Sequence, residues 1–195
     1  MGFFTKDIET LEDLFTHGLQ DIYYAENQIL KTLPKLVEKT SAPDLKKRLK
    51  KHLAETERQV SRLEQIFEMR EEKPKGTKCY GINGLISEGD GLTGDIKGKK
   101  LLDVGIIASA QAVESYEITR YTSLIAWARQ LGRNDFAEIL ASNLAEEEAT
   151  KTGLDRLAGA TTMAKSSKPS KRRALPKRQS AARRAASRGK TRRAS

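Results

Sequence analysis

Glu26, Glu114, Glu117 and Glu147 fall inside the apolar stripes of segments that repeat with a helical period, so any fold that buries those stripes also buries the acids. The positions follow from placing each residue at about 100° around its helix, the angle of a turn of about 3.6 residues. Glu26 lies within the arc of Phe15, Ile22, Ile29 and Leu33. Glu114 and Glu117 bracket the centre of a stripe made by Ala110, Tyr121, Ile125 and Ala128. Glu147 lies between Leu140 and Leu154. On the remaining long segment His52 and Gln59 lie inside the arc, and Glu55 sits at its edge.

Four segments carry this period, and none reads as a strand. The first spans about Thr10 to Lys39, with Pro34 expected to kink it or end its regular part. Ser41 is an N-cap candidate for the second, which spans about Asp44 to Met69, with Pro43 tolerated in its first turn. The third covers about Leu101 to Leu131, with Gly132 as its stop. Asn134 is expected to cap the fourth, about Asp135 to Ala158. Between Arg70 and Lys99 lies a connection with seven glycines, read mostly as loop with a short helix near Asn83–Glu88. A connection this long lets the third helix start at the far end of the bundle, a crossover. The expected fold is all-α, a ferritin-like four-helix bundle over residues 1–158.

Charge divides the chain. Thirteen of its 36 Lys and Arg lie in 159–195, which holds no acid; the other 23 face 26 acidic residues, a body near −3. The tail is rich in Ala, Ser, Pro, Lys and Arg, a composition that cannot offset the entropy of ordering by burial, and disorder is expected there. Lys171, Arg172, Arg173, Lys177, Arg178, Arg183, Arg184, Arg188, Lys190, Arg192 and Arg193 form an arm suited to non-specific contact with DNA phosphates. The arm lacks the aromatic side chains that single-strand stacking uses. No apolar run approaches the roughly 18–20 residues of a membrane span, and the first residues lack signal-peptide anatomy. The single cysteine, Cys79, has no intrachain partner to pair with. A cytoplasmic location without membrane contact is the expectation.

Carboxylates brought together in an apolar core repel one another unless protons or a cation neutralise them. Oxygen-rich sets with some imidazole suit iron or manganese, and four-helix cores are where di-metal carboxylate sites are built. The expected metal ligands are Glu26, His52, Glu55, Glu114, Glu117 and Glu147. The competing expectation is a hydrogen-bonded polar network without an ion, with Tyr116, Tyr121 and Lys151 as partners. Lys151 follows Glu147 by four residues and is expected to pair with it or to displace a metal's charge-balancing role. Glu146 and Glu148 are expected to form a solvated face, and His17 to be an ordinary surface residue. Tyr23, Tyr24 and Trp127 are expected to pack rather than to relay electrons.

The segments Asp21-Ile-Tyr-Tyr-Ala-Glu26-Asn-Gln28, His52-Leu-Ala-Glu55-Thr56 with Gln59, Val113-Glu114-Ser-Tyr116-Glu117-Ile with Tyr121, and Leu144-Ala-Glu146-Glu147-Glu148-Ala-Thr150 resemble the YciE/YciF group of ferritin-like bacterial stress proteins. The resemblance spans about residues 7–158. It implies a ferritin-like bundle, a homodimer and a di-metal site. Better-known di-iron proteins use Glu-x-x-His on two helices; here the order is reversed, His52-x-x-Glu55, and the fourth helix has no histidine. Two functions are carried forward. One is iron or peroxide handling at a buried di-metal site near DNA; the other is a non-catalytic, nucleoid-associated or structural dimer. Whether the chain turns over a substrate is left open.

Overall fold

The computed structural model describes residues 7–166, with side chains described through residue 160. The eleven basic residues from Lys171 to Arg193 named above lie outside the described residues; of the tail expected to be disordered, 159–166 are helical and the rest lies outside the described residues. Five helices and no strand are found among those described: α1 Leu11–Lys39, α2 Pro43–Met69, α3 Tyr80–Asp95, α4 Lys99–Gln130 and α5 Asn134–Ser166. None is long and apolar enough to cross a membrane.

α1 begins at Thr10, whose side chain accepts from the backbone N–H of Asp13 while the Asp13 side chain accepts from that of Thr10. This reciprocal capping satisfies two donors that a helix start leaves open. The helix does not end at Pro34, which is exposed, and runs on to Lys39. α2 starts differently from the expectation. Its N-cap is Ala42, which has no side chain able to accept, with Pro43 following it. Ser41 instead donates through its hydroxyl to Asp103 Oδ2 at 2.6 Å. Asp103, buried on α4, also accepts the backbone N–H groups of Ser41 at 2.8 Å and Ala42 at 3.1 Å. A carboxylate from another helix thus replaces the local cap. Asp103→Ala is expected to lower unfolding free energy by about 2–3 kcal/mol. Denaturant unfolding checks this, and an unchanged midpoint would contradict the cross-helix cap.

The glycine-rich connection is a 16-residue helix over much of its length, longer than the sequence suggests. Each interior glycine costs a helix about 1 kcal/mol relative to alanine, so α3 owes its form to packing. It lies on α4 and touches α1, burying Ile82 and Thr93. Gly81 makes the approach feasible: a Cβ there would stand 2.9 Å from the Tyr116 ring. α4 closes at Gly132, whose φ of +73° suits glycine. α5 begins at Asn134 itself and continues to Ser166, past the expected end at Ala158. α4 packs chiefly on α5 and α1 on α2, with further contacts of α2 on α5 and α1 on α4. The core between them holds Phe15, Leu19, Ile22, Leu49, Leu63, Ile106, Tyr121, Phe136 and Leu140.

Candidate metal centre

The buried stripes bring their polar residues together as periodicity requires. Glu26, Glu117 and Glu147 are wholly buried; Glu114, His52 and Glu55 nearly so. His52, Glu114, Glu117 and Glu147 each offer one ligand atom, and those atoms lie within 4.8 Å of one another. His52 Nε2 stands 3.2 Å from Glu114 Oε1, and His52 Nδ1 stands 3.9 Å from Glu147 Oε2. α2, α4 and α5 supply this set.

Glu26 on α1 and Glu55 on α2 reach the same region with other partners. Tyr121 donates its hydroxyl to Glu26 Oε1. Asn143 in turn donates to Tyr121 Oη at 3.0 Å and accepts from Arg62 at 3.0 Å. Glu55 accepts from Lys51 on one oxygen and from Thr150 at 3.4 Å on the other. α5 thus covers Glu55, which the sequence places only at the edge of the stripe. Gln59 donates to Glu147 and fixes its carboxylate.

Two charge expectations need correcting. Lys151 does not reach Glu147; its ammonium is 3.2 Å from Asp155. A long side chain near the surface keeps its charge solvated when an exposed carboxylate is in reach. Lys51, on another helix, is the cation that touches the acid group. Glu148 is exposed as expected, but Glu146 is half-buried between Arg58 and Arg62, at 3.2 and 2.8 Å. His17 is exposed, and Tyr23 and Tyr24 pack at half-buried positions against Phe67 and Asn83. Cys79 is buried and 2.8 Å from Tyr116 Oη, which donates to Asp21. Tyr116 is therefore occupied away from the acids.

Electrostatics set the protonation of the group. Burial raises Glu26, Glu114 and Glu117 well above the usual carboxylate range, and neighbouring carboxylates raise them further. Burial also lifts Glu147, to about 7, although hydrogen bonds from Glu114 and Gln59 hold it back. Burial lowers His52 to about 4, helped by Arg48 and Lys51. The His52–Glu114 contact therefore joins a neutral imidazole to a carboxyl whose ionisation burial opposes, and it is not an ion pair. A neutral imidazole is the form that ligates metals.

Seven buried side-chain atoms among the described residues have no hydrogen-bond partner: Glu26 Oε2, His52 Nδ1, Gln59 Oε1, Glu114 Oε2, both oxygens of Glu117 and Glu147 Oε2. All seven belong to this one group. Buried polar atoms are nearly always paired, and an unpaired one costs about 1–3 kcal/mol. Without a cation, shared protons are all that joins Glu117 to Glu26 and Glu147 to Glu114. One imidazole with several carboxylates is a donor set that fits iron or manganese. The group could hold a metal ion, and its unpaired atoms match that use better than a closed hydrogen-bond network. Asn143 and Thr150, which brace it, share the stripe of Glu147 at spacings of four and three residues. That signal was available in the sequence.

The model of a domain of unknown function, DUF892, matches residues 10–167. Protein YciF of Escherichia coli (strain K12) is 39% identical over 153 residues, covering 78% of this chain and 92% of YciF. The crystal structure of the E. coli stress protein YciF superposes with a TM-score of 0.76 at 38% identity, covering 80% of this chain and 99% of that one. YcfI of Rhodopseudomonas palustris gives a TM-score of 0.76 at 52% identity, covering 78% and 98%.

Proposed function

We propose that this chain, a member of the DUF892 family and 39% identical to YciF, is a stress protein whose buried acid group binds iron or manganese. The observation that carries this reading is the set of seven unpartnered polar atoms gathered around His52, Glu114, Glu117 and Glu147. Those four would hold a first ion, and Glu26 and Glu55 would complete a di-metal site. In the same reading α1, α2, α4 and α5 form a ferritin-like bundle, with α3 in the long connection between its second and third helices. The proposed domain spans residues 1–158, followed by a tail at 159–195.

Bound iron or manganese would supply redox chemistry toward oxygen or peroxide. The chain's own contribution is to hold ligands ready. Burial keeps His52 neutral, Gln59 fixes Glu147, and Tyr121 with Asn143 holds Glu26 against α4. Lys51 neutralises Glu55 and would have to release it for Glu55 to ligate. To act as ligands the glutamates would give up the protons that burial otherwise favours on them. Purified full-length protein is expected to consume hydrogen peroxide faster with Fe(II) than without it. Failure both to do so and to retain iron would overturn the reading.

The thirteen cations of the tail favour a companion reading: a cytoplasmic homodimer that contacts DNA without sequence preference. It also covers the non-catalytic alternative, a nucleoid-associated dimer. Retention on DNA is expected at low salt and falls steeply as salt rises. Replacing the eleven basic residues from Lys171 to Arg193 by glutamine should abolish it. Retention that survives this change would contradict a role for the tail.

A further inference from the structure

Five of the six residues from Lys46 to Lys51 are basic, although the body of the chain is net acidic. They lie toward the N-terminal end of α2, where the helix macrodipole favours anions, so helix stability does not call for them. Further along the helix, Arg58 and Arg62 pair with Glu146 at 3.2 and 2.8 Å. Among the described residues, no ion pair holds Lys46, Lys47, Arg48 or Lys50. α2 and α5 run antiparallel: Arg62 meets Asn143, Gln59 meets Glu147, and Glu55 meets Thr150. The same register sets Arg48 against Gly153. A Cβ at Gly153 would stand 2.5 Å from the Arg48 guanidinium, so the glycine gives that group its place across α5. Arg48, Lys51 and Arg156 line an open groove there, with Ala145, Ala149 and Thr152 between them. Glu148, exposed, is the one acid among the lining residues, and neighbouring Asp155 is engaged by Gln111 and Lys151. Lys51 also touches Glu55. Lys47 is exposed one turn before Lys51 and extends the positive face.

We propose that this groove between α2 and α5 is a docking surface of the folded body for the phosphate backbone of duplex DNA. Guanidinium groups match phosphate geometry, and the two arginines here have no carboxylate partner among the described residues to give up. The large apolar side chains exposed among the described residues are Ile8, Met69, Tyr80, Leu92 and Leu101, none of them on α5 or near the start of α2. The groove therefore lacks both the apolar anchor of a membrane surface and the aromatic platform on which single strands stack. The antiparallel register also brings it beside the part of α5 after which the basic tail follows in sequence. Two tethered sites on one polyanion raise each other's effective concentration, so groove and tail together bind more tightly than either alone. The inference rests on the DNA reading of the tail for its partner, but its residues all belong to the body.

Binding of full-length protein to a mixed-sequence duplex, followed across a salt series, tests the groove. Lys47→Gln, Arg48→Gln and Arg156→Gln together should weaken binding about tenfold or more at low salt and lower the slope of log K against log salt by about 3. Lys73→Gln, Lys75→Gln and Lys78→Gln remove the same charge from exposed positions beyond the far end of α2 and should change binding little. Circular dichroism and thermal unfolding check that both variants remain folded. Should the groove variant unfold, Lys47→Gln with Arg156→Gln, both at exposed positions, should lower the slope by about 2. Unchanged affinity and slope in the folded groove variant would overturn the proposal and leave the tail reading standing. An equal loss in the two triple variants would overturn it as well, because net charge alone would then carry binding. Binding that survives neutralisation of the tail but falls in the groove variant would contradict the tail's role and keep the groove. Vesicles of equal parts phosphatidylcholine and phosphatidylglycerol should bind wild type and groove variant alike, and a loss seen with vesicles but not with duplex would overturn DNA as the partner.

Discussion

Replacing Glu117 by glutamine is expected to make the metal-free protein more stable while removing its ability to retain metal. Both Glu117 oxygens are buried with no partner beyond a proton shared with Glu26, and Glu26, Glu147 and Glu114 all oppose its charge. Glutamine keeps the shape and removes the ionisable group. At pH 8 the gain should be about 1–3 kcal/mol, equivalent to relief of about one to two pKa units of opposed ionisation. In a chain of this size that moves Tm up by several degrees. A closed hydrogen-bond network predicts the reverse, since glutamine would then break a satisfied arrangement. Thermal unfolding of chelator-treated protein decides between them: a lower Tm for Glu117→Gln would contradict the metal-site account.

The second large effect is on the pH dependence of stability, with and without metal. Glu26, Glu114, Glu117 and Glu147 have folded-state pKa values raised above those of the unfolded chain. A raised group favours folding below its unfolded pKa, and that contribution is lost as pH rises through its folded pKa. The metal-free protein should therefore weaken from mildly acidic pH upward. Glu147 alone, lifted from 4.5 to about 7, contributes on the order of 3 kcal/mol across that window. His52 acts in the opposite direction. Its folded value is lowered to about 4, so its stabilising share is present above its ordinary 6.5 and is lost as pH falls through 4. The optimum of metal-free protein should lie between these limits, on the acidic side of neutrality. Metal replaces the protons, so loaded protein should gain stability with pH where metal-free protein loses it. At about a thousand times Kd the gain is about 4 kcal/mol. Parallel pH profiles for the two forms would contradict the account.

Helical periodicity placed Glu26, Glu114, Glu117 and Glu147 correctly because each sits near the middle of a stripe, where the assignment tolerates errors in helix geometry. Glu55 was harder. At the edge of its stripe, burial depends on whether another helix covers it, and Thr150 of α5 does. Lys151 misled for a related reason: angle alone cannot show that Asp155, one turn on, offers its ammonium a solvated partner. Lys51, which does meet an acid, lies four residues before Glu55, a spacing that the sequence carried. α3 was largely hidden, because glycine content argues against a helix locally and only the contact with α4 and α1 explains it. The cap supplied by Asp103 was likewise invisible, since it joins positions 62 residues apart.

The central claim is most directly tested by the metal content of full-length protein after anaerobic loading with Fe(II) or Mn(II) and desalting. The account predicts about two ions per chain, as in di-metal carboxylate bundles, with the content lost in Glu117→Gln and Glu147→Ala variants that remain folded. A folded wild-type chain that retains no ion would contradict it.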